Sequence, residues 1–483
     1  MVGLTGLTGL SASSWPEALL VAAVFVWLGV LIARRVARGD SYKSLATVMV
    51  VSVILHILCA PAQIFVVNHF YGGVADWTRY GHQGALLASN WRGGHFTLAG
   101  TGIKGLLGDG AVSVTGAVIM TVVGANQLAA FVVAAWLAFV GTVFFYRAFS
   151  LTFPEANRSR YALLVFLFPS LLFWTADVGK EAIMLFALGL TAYGMALALS
   201  GRRRGYLYSV LGGALALVIR PDELVILVIG FAIAMLVRAV ARGERTRARH
   251  PLSMLAALVF VAAAVVVTSI VAAHFVHSLT QSGLSNALTK LSANNQGAGA
   301  GFGSSSVAYS SNPITYPRDI YSVLFDPLFF SAHSVTQVFA SAENTLVVVV
   351  IVLSLPQLRH VPRACLQRPY VLVALFYSAV FIFAFAALGN LGLITRERTL
   401  LLPLLFVVLA LPVARTGEDP FPWQVPRRRR REMRRRSGGV PSIEEDPDLP
   451  RADWGAVGVA HWTGHLAEVD SADWGASKWV SEP

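Results

Sequence analysis

The sequence predicts an all-α protein: a polytopic bundle of about eleven membrane-spanning helices, N-terminus outside and C-terminus inside, with two functional extracytoplasmic loops. Three observations carry that expectation. Of 483 residues, 55% are hydrophobic and only 13% charged, whereas an ordinary soluble domain is about 25% charged. The apolar residues fall in blocks, such as 45–67, 252–275 and 370–388, each long enough to cross a hydrocarbon core about 30 Å thick. Basic residues collect between alternate blocks, as the positive-inside rule requires of cytoplasmic loops.

In chain order the spans are expected near residues 17–33, 45–67, 126–146, 161–176, 181–200, 206–219, 223–240, 251–275, 344–358, 370–388 and 398–414. Residues 1–14 hold no Lys or Arg, so the first span lacks the basic start of a cleavable signal peptide and is expected to be retained. With the N-terminus outside, the five inner loops carry 18 basic residues and the five outer loops 9, over a greater length. One more apolar run, 111–124, crowds the third span. Residues 111–146 are too few for two spans of about 20 residues and a turn, so this run is expected to be interfacial or re-entrant on the outer face.

Residues 1–414 therefore form the predicted transmembrane domain, and 415–483 a disordered cytoplasmic tail. The net charge is +12, but the tail holds 11 of the 38 basic and 12 of the 26 acidic residues. The basic surplus lies between the spans and needs no nucleic acid. Eight of the ten residues 427–436 are Arg, a juxtamembrane block suited to anionic lipid headgroups. The sequence ADWGA at 452–456 recurs at 472–476, which suits short contact motifs for a cytoplasmic protein partner, or simple drift. Cys59 lies in an apolar span and Cys365 in a basic loop, which implies no disulfide framework.

The acids are sorted. Before the tail, only Asp40, Glu155 and Glu244 fall inside, while Asp76, Asp109, Asp177, Glu181, Asp222, Glu223, Asp319, Asp326, Glu343 and Glu397 fall on the outer face or at its span ends. Acids contribute little to orientation, so the sorting points to chemistry outside. No P-loop, zinc-ligand pattern or nucleophile elbow is present, which disfavours ATP-driven transport, and no metal-ligand set is expected. Asp76, Arg79 and Tyr80, at i, i+3 and i+4, would share one helix face. They form either a carboxylate base beside a phosphate-binding Arg, or a helix cap beside a solvated Arg. Asp177 is placed to cap the fifth span, with Lys180 and Glu181 in its first turn, and a helix N-terminus with a Lys beside it suits a phosphate. Arg220, with Asp222 and Glu223, forms the turn between spans six and seven. Arg396, Glu397 and Arg398 precede the last span. Both clusters are either phosphate-facing or locally ion-paired. Glu343 opens span nine, where a lone acid at membrane depth is functional by default. His274 and His277 are an interface pair rather than metal ligands, since no third ligand is near.

Three patches, ADWTRYGHQGALLASNWRGGHF (75–96), FPSLLFWTADVGKEA (168–182) and LGNLGLITRERTLLLP (388–403), resemble the GT-C superfamily of membrane glycosyltransferases and the related multi-span polysaccharide polymerases. The resemblance implies transfer of a sugar from a polyprenyl-phosphate or polyprenyl-diphosphate donor at the outer face of the cell membrane, in envelope glycan assembly. It implies an acid of the first outer loop, here Asp76, as base or metal contact. It also implies outer arginines, here Arg220, Arg396 and Arg398, against the diphosphate, and a large late outer loop, here the one from His277. GT-C enzymes often show paired acids after their first span, whereas Asp76 is single and follows the second.

On this expectation Asp76 and Glu343 are the catalytic candidates, and Arg79, Tyr80, Asp177, Lys180, Arg220, Arg396 and Arg398 bind substrate. The partners are a lipid-linked sugar donor and a glycan or lipid acceptor, and a divalent cation is left open as cofactor. A polymerase or ligase of the same face, and a non-catalytic envelope transporter or scaffold, are the alternatives.

Overall fold

The computed structural model describes residues 15–70, 73, 75–154, 156, 158–242, 321, 324–328, 330, 335–385 and 391–412. The expected span at 251–275, His274 and His277, most of the loop from His277, and the tail with its arginine block and ADWGA copies lie outside the described residues. Among the described residues every regular element is a helix: α1 (Trp15–Ala37), α2 (Leu45–Phe70), α3 (Asp76–Arg92), α4 (Asp109–Val123), α5 (Gln127–Thr152), α6 (Ser159–Leu167), α7 (Pro169–Phe173), α8 (Lys180–Leu199), α9 (Arg204–Ile219), α10 (Pro221–Arg242), α11 (Val335–Leu358), α12 (Val361–Gln367), α13 (Pro369–Phe385) and α14 (Leu391–Leu409).

Five of these, α1, α2, α5, α8 and the stretch Gln337–Leu358 of α11, are long and apolar enough to cross a membrane. The shortest has 20 residues, about 30 Å at 1.5 Å per residue. The lengths and compositions are those of a helical membrane protein. Helices α4, α9 and α13 are apolar but shorter.

Three boundaries differ from the sequence expectation, each for a local reason. The span expected at 161–176 is two short helices, α6 and α7, because Pro169 starts the second and forces Phe168 into extended backbone (ψ 129°). Ser52 Oγ on α2 donates to the Phe166 carbonyl at this break (2.7 Å), which satisfies an acceptor the interrupted helix leaves open. Glu343 does not open a span: α11 begins at Val335 and carries Glu343 more than two turns inside. Arg396, Glu397 and Arg398 likewise lie within α14, since Arg and Glu are good helix formers and nothing between Leu391 and Arg398 stops the helix.

The bundle is centred on α8, which packs on α5 and α9. Small residues let the backbones approach: a Cβ on Gly141 of α5 would lie 2.6 Å from the Leu185 carbonyl of α8, and a Cβ on Gly205 of α9 would lie 2.5 Å from the Gly194 carbonyl. Close approach through small residues is how helices gain packing where lipid supplies no hydrophobic contrast. Arg238 of α10 donates to the Ala198 carbonyl (2.7 Å) at the end of α8. On α1, by contrast, Leu20 and Trp27 are exposed and suit a lipid surface.

The two ends of the bundle are distinct. At one, Asn126 before α5 donates to Glu17 at the start of α1 (3.1 Å). At the other, Arg158 before α6 pairs with Asp40 after α1 (2.8 Å). The starts of α3, α4, α8, α10 and α14 gather at the first end, where the candidate site lies.

Gly141→Val is expected to lower the thermal midpoint of the detergent-solubilised protein, because a branched side chain cannot enter the α5–α8 contact and overpacking costs about 1–3 kcal/mol. Leu20→Ala, on the outward face of α1, is expected to leave the midpoint within about 1 °C. Equal effects of the two would remove the close-approach account.

Candidate functional site

Helices α3 and α4 build one wall. Arg79 and Tyr80 near the start of α3 meet Asp109 at the start of α4, and Arg92 at the end of α3 donates to the Met120 and Thr121 carbonyls near the end of α4. The two helices therefore run the same way, joined by a connector over 93–108 that returns alongside. A Cβ on Gly84 would lie 3.2 Å from the Ser113 carbonyl and the Ala117 nitrogen, so the missing side chain sets the approach. At 15 residues α4 is about 22 Å long, too short for a membrane core. The Gly108 N–H, just before it, donates to the Val218 carbonyl of α9 (2.8 Å), which fixes the start of α4 against the bundle.

Asp109 is the centre of the exposed part of the site. Its carboxylate takes Arg79 Nη2 at 2.5 Å and Lys180 Nζ at 2.7 Å, and the Tyr80 hydroxyl donates to it at 2.9 Å. The Arg79 guanidinium also lies 5.1 Å from the centre of the Tyr80 ring, a cation–π distance. Partial burial opposes ionisation of Asp109, but Lys180, Tyr80 and Arg79 outweigh it and hold its pKa down to about 2. Burial and the nearby carboxylates push the Tyr80 phenol up, so it remains a donor.

The deeper part joins helices distant in sequence. Arg396 of α14 forks onto Glu181 of α8, with Nε and Nη2 each 2.7 Å from a carboxylate oxygen, and Nη1 reaches Asp76 at 3.2 Å. Arg220, between α9 and α10, makes a two-pronged pair with Glu397 and lies 3.8 Å from Glu223, whose other oxygen accepts from the Tyr377 hydroxyl (2.6 Å). Asp76 itself is open, its side chain 56% exposed. No group of three or more His, Cys, Asp or Glu able to hold a metal is present among the described residues.

The structure brings together Asp76, Arg79, Tyr80, Lys180, Arg220 and Arg396, and it separates Arg398 and Glu343. Arg398 points elsewhere: it is 1% exposed, pairs with Glu343 at 3.1 Å, and donates to the Leu324 carbonyl at 3.0 Å, while Ser170 also donates to Glu343. Those two residues form a buried clamp between α7, α11 and α14. Asp177 does not cap α8, which starts after Gly179 without a side-chain cap. It turns inward instead, 3% exposed, with Oδ2 accepting from Gln63 Nε2 (3.2 Å) and Oδ1 unpartnered. Arg220 and Arg396 are paired across the bundle, where local pairing was the sequence alternative. Residue patterns did not reveal Asp109 as the hub, Gln63, or Tyr377. Each is isolated in sequence, and the only signal was the outward sorting of the acids.

Neither a protein-family model, nor a curated protein, nor a solved structure matches the chain.

Burial lifts the Asp177 carboxyl to about 7, a rise that Arg396 and Gln63 restrain and Glu181 adds to. In the unfolded chain an Asp titrates near 4, so between about pH 4 and 7 the folded state holds the extra proton. The stability this adds is full below about pH 4 and is lost as the pH rises through 7. Asp177→Asn, uncharged throughout, is expected to melt a few degrees above wild type at pH 8 and to lose that advantage by about pH 4. An unchanging difference between the two melting profiles across this range would exclude a proton on Asp177.

Proposed function

We propose that the protein is a multi-pass membrane glycosyltransferase that takes sugar from a polyprenyl-phosphate or polyprenyl-diphosphate donor at the extracytoplasmic face. One observation carries this reading: an open carboxylate, Asp76, pairs with Arg396 at the same end of an apolar bundle as two further sets of ion pairs, Arg79 and Lys180 on Asp109 and Arg220 on Glu397. The eleven spans, the outside N-terminus and the cell-membrane location belong to the same proposal, supported by 18 against 9 basic residues in alternate loops.

The chemistry asks little of the protein. The acceptor hydroxyl oxygen forms the new bond to the anomeric carbon, the bond from that carbon to the donor phosphate oxygen breaks, and the phosphate departs with the electron pair. Asp76 takes the hydroxyl proton as general base. The cations stabilise the charge that grows on the leaving phosphate, which needs no protonation to depart. A polymerase or ligase would use the same groups and differ in its acceptor.

Asp76→Asn is expected to abolish sugar transfer in membranes while leaving expression and thermal midpoint unchanged. Retained transfer would remove Asp76 as base. Arg396→Lys keeps the charge but loses the fork, and is expected to slow donor use at least tenfold, whereas Arg204→Lys at the start of α9 leaves it unchanged; similar rates for the two would argue against phosphate recognition by Arg396. For topology, cysteines introduced at Ser305 and Ser437 are expected to be labelled from opposite sides of the membrane, and labelling from one side would overturn the orientation.

A further inference from the structure

Three helix N-termini converge where Asp109 sits. Helices α3, α4 and α8 have 17, 15 and 20 residues, and their first turns supply Arg79 and Tyr80, Asp109, and Lys180. Each N-terminus contributes partial positive charge and N–H groups without a partner inside the helix. The arrangement is unusual in one respect: three donors from two helices, a guanidinium, a phenol and an ammonium, all end on a single carboxylate supplied by the third. A phosphoryl group has the same charge sign and more acceptor oxygens, and would meet all three donors. The carboxylate is also held in a way that permits exchange. Its side chain is 43% exposed, Arg79 is 53% and Lys180 25% exposed, and ion pairs that wet are weak. The backbone is fixed by the Gly108 to Val218 hydrogen bond and by Ser113 Oγ donating to the Asp109 carbonyl (3.1 Å). Emptying the cradle therefore needs a side-chain rotation and no movement of the helix.

We infer that Arg79, Tyr80 and Lys180 form a phosphoryl-binding cradle, and that Asp109 is a built-in competitor that fills it until a phosphate displaces it. This rests on the glycosyltransferase reading for its biological ligand, the phosphate of a lipid-linked donor, but the cradle itself depends only on the three donors. The competitor keeps the cations compensated while the site has no donor, and sets a threshold against weaker anions. The same chemistry would accept a lipid phosphate headgroup or free phosphate.

The test measures binding of inorganic phosphate and of farnesyl phosphate to the full chain in nanodiscs, by calorimetry at constant pH and ionic strength. Asp109→Asn is expected to tighten binding about five- to tenfold, as the loss of one charge-assisted competitor implies. Lys180→Met in that background is expected to return affinity to the wild-type level or below. Tightening for both ligands assigns the cradle to the phosphate group itself, and tightening for farnesyl phosphate alone assigns it to lipid headgroups. Unchanged affinity for both ligands in Asp109→Asn overturns the proposal. If that variant does not fold, Asp109→Ser replaces it, and Lys180→Met in the wild-type chain gives an independent answer, since binding equal to wild type there also overturns it. No sugar or acceptor is present, so a chain that passes this test yet never transfers sugar keeps the cradle and loses the enzyme reading.

Discussion

A guanidinium in an apolar helix end must find a carboxylate, and the architecture of this end of the bundle follows from that requirement. Arg396 lies inside α14 and meets it with a two-pronged grip on Glu181 of α8. Arg220, at the end of α9, meets it with Glu397 one residue further along α14. The two pairs fix α14 against α8 and against the α9–α10 turn. A third pair, Arg398 with Glu343, ties the opposite side of α14 to α11. Removing one partner of such a pair leaves a buried charge uncompensated, which is strongly destabilising. The alternation of partners along Arg396, Glu397 and Arg398 therefore locates one helix against three neighbours.

The parallel course of α3 and α4 adds what ion pairs alone do not. An antiparallel hairpin would have opposed one N-terminus to one C-terminus and cancelled their fields. The connector over 93–108 brings the chain back to the starting end, so both N-termini lie beside that of α8. Glycines make this possible at the contacts, since Gly84 abuts the α4 backbone and Gly116 abuts Val178, just before α8. Local sequence thus produces a positive focus at the place where Arg79, Tyr80 and Lys180 point.

Legibility from sequence divides along physical lines. The helical class and the membrane character were readable because apolar runs are long and need no partner to be recognised. The interruption at Pro169 was visible as a residue but was hidden by the apolar run continuing across it. Helix α14 was expected to begin after its charges because lone charges are unfavourable in a span, and that penalty is offset once Glu181, Arg220 and Glu343 are known to lie opposite Arg396, Glu397 and Arg398. Asp177 looked like a cap because Asp commonly serves there, yet its neighbours across the bundle turned it inward. What no sequence pattern conveyed was pairing over long separations, such as Arg220 with Glu397 or Lys180 with Asp109, because each partner is a single residue in otherwise ordinary surroundings.

The charge balance at this end limits how an anion can enter. Arg79, Lys180, Arg220 and Arg396 each already meet a carboxylate, so a phosphate added to the intact pairs would find no uncompensated cation. Entry must be by exchange, and burial decides which carboxylates take part. Glu181, Glu223 and Glu397 are enclosed, and moving any of them would strip a buried arginine or tyrosine of its partner. Asp76 and Asp109 are open to solvent, where water replaces a lost partner at little cost. The enclosed acids therefore serve the architecture, whereas the open ones can release their cations to water or to an anion. The cations they share, Arg396 above all, are where a bound phosphate would be felt by the packing of α8 and α14.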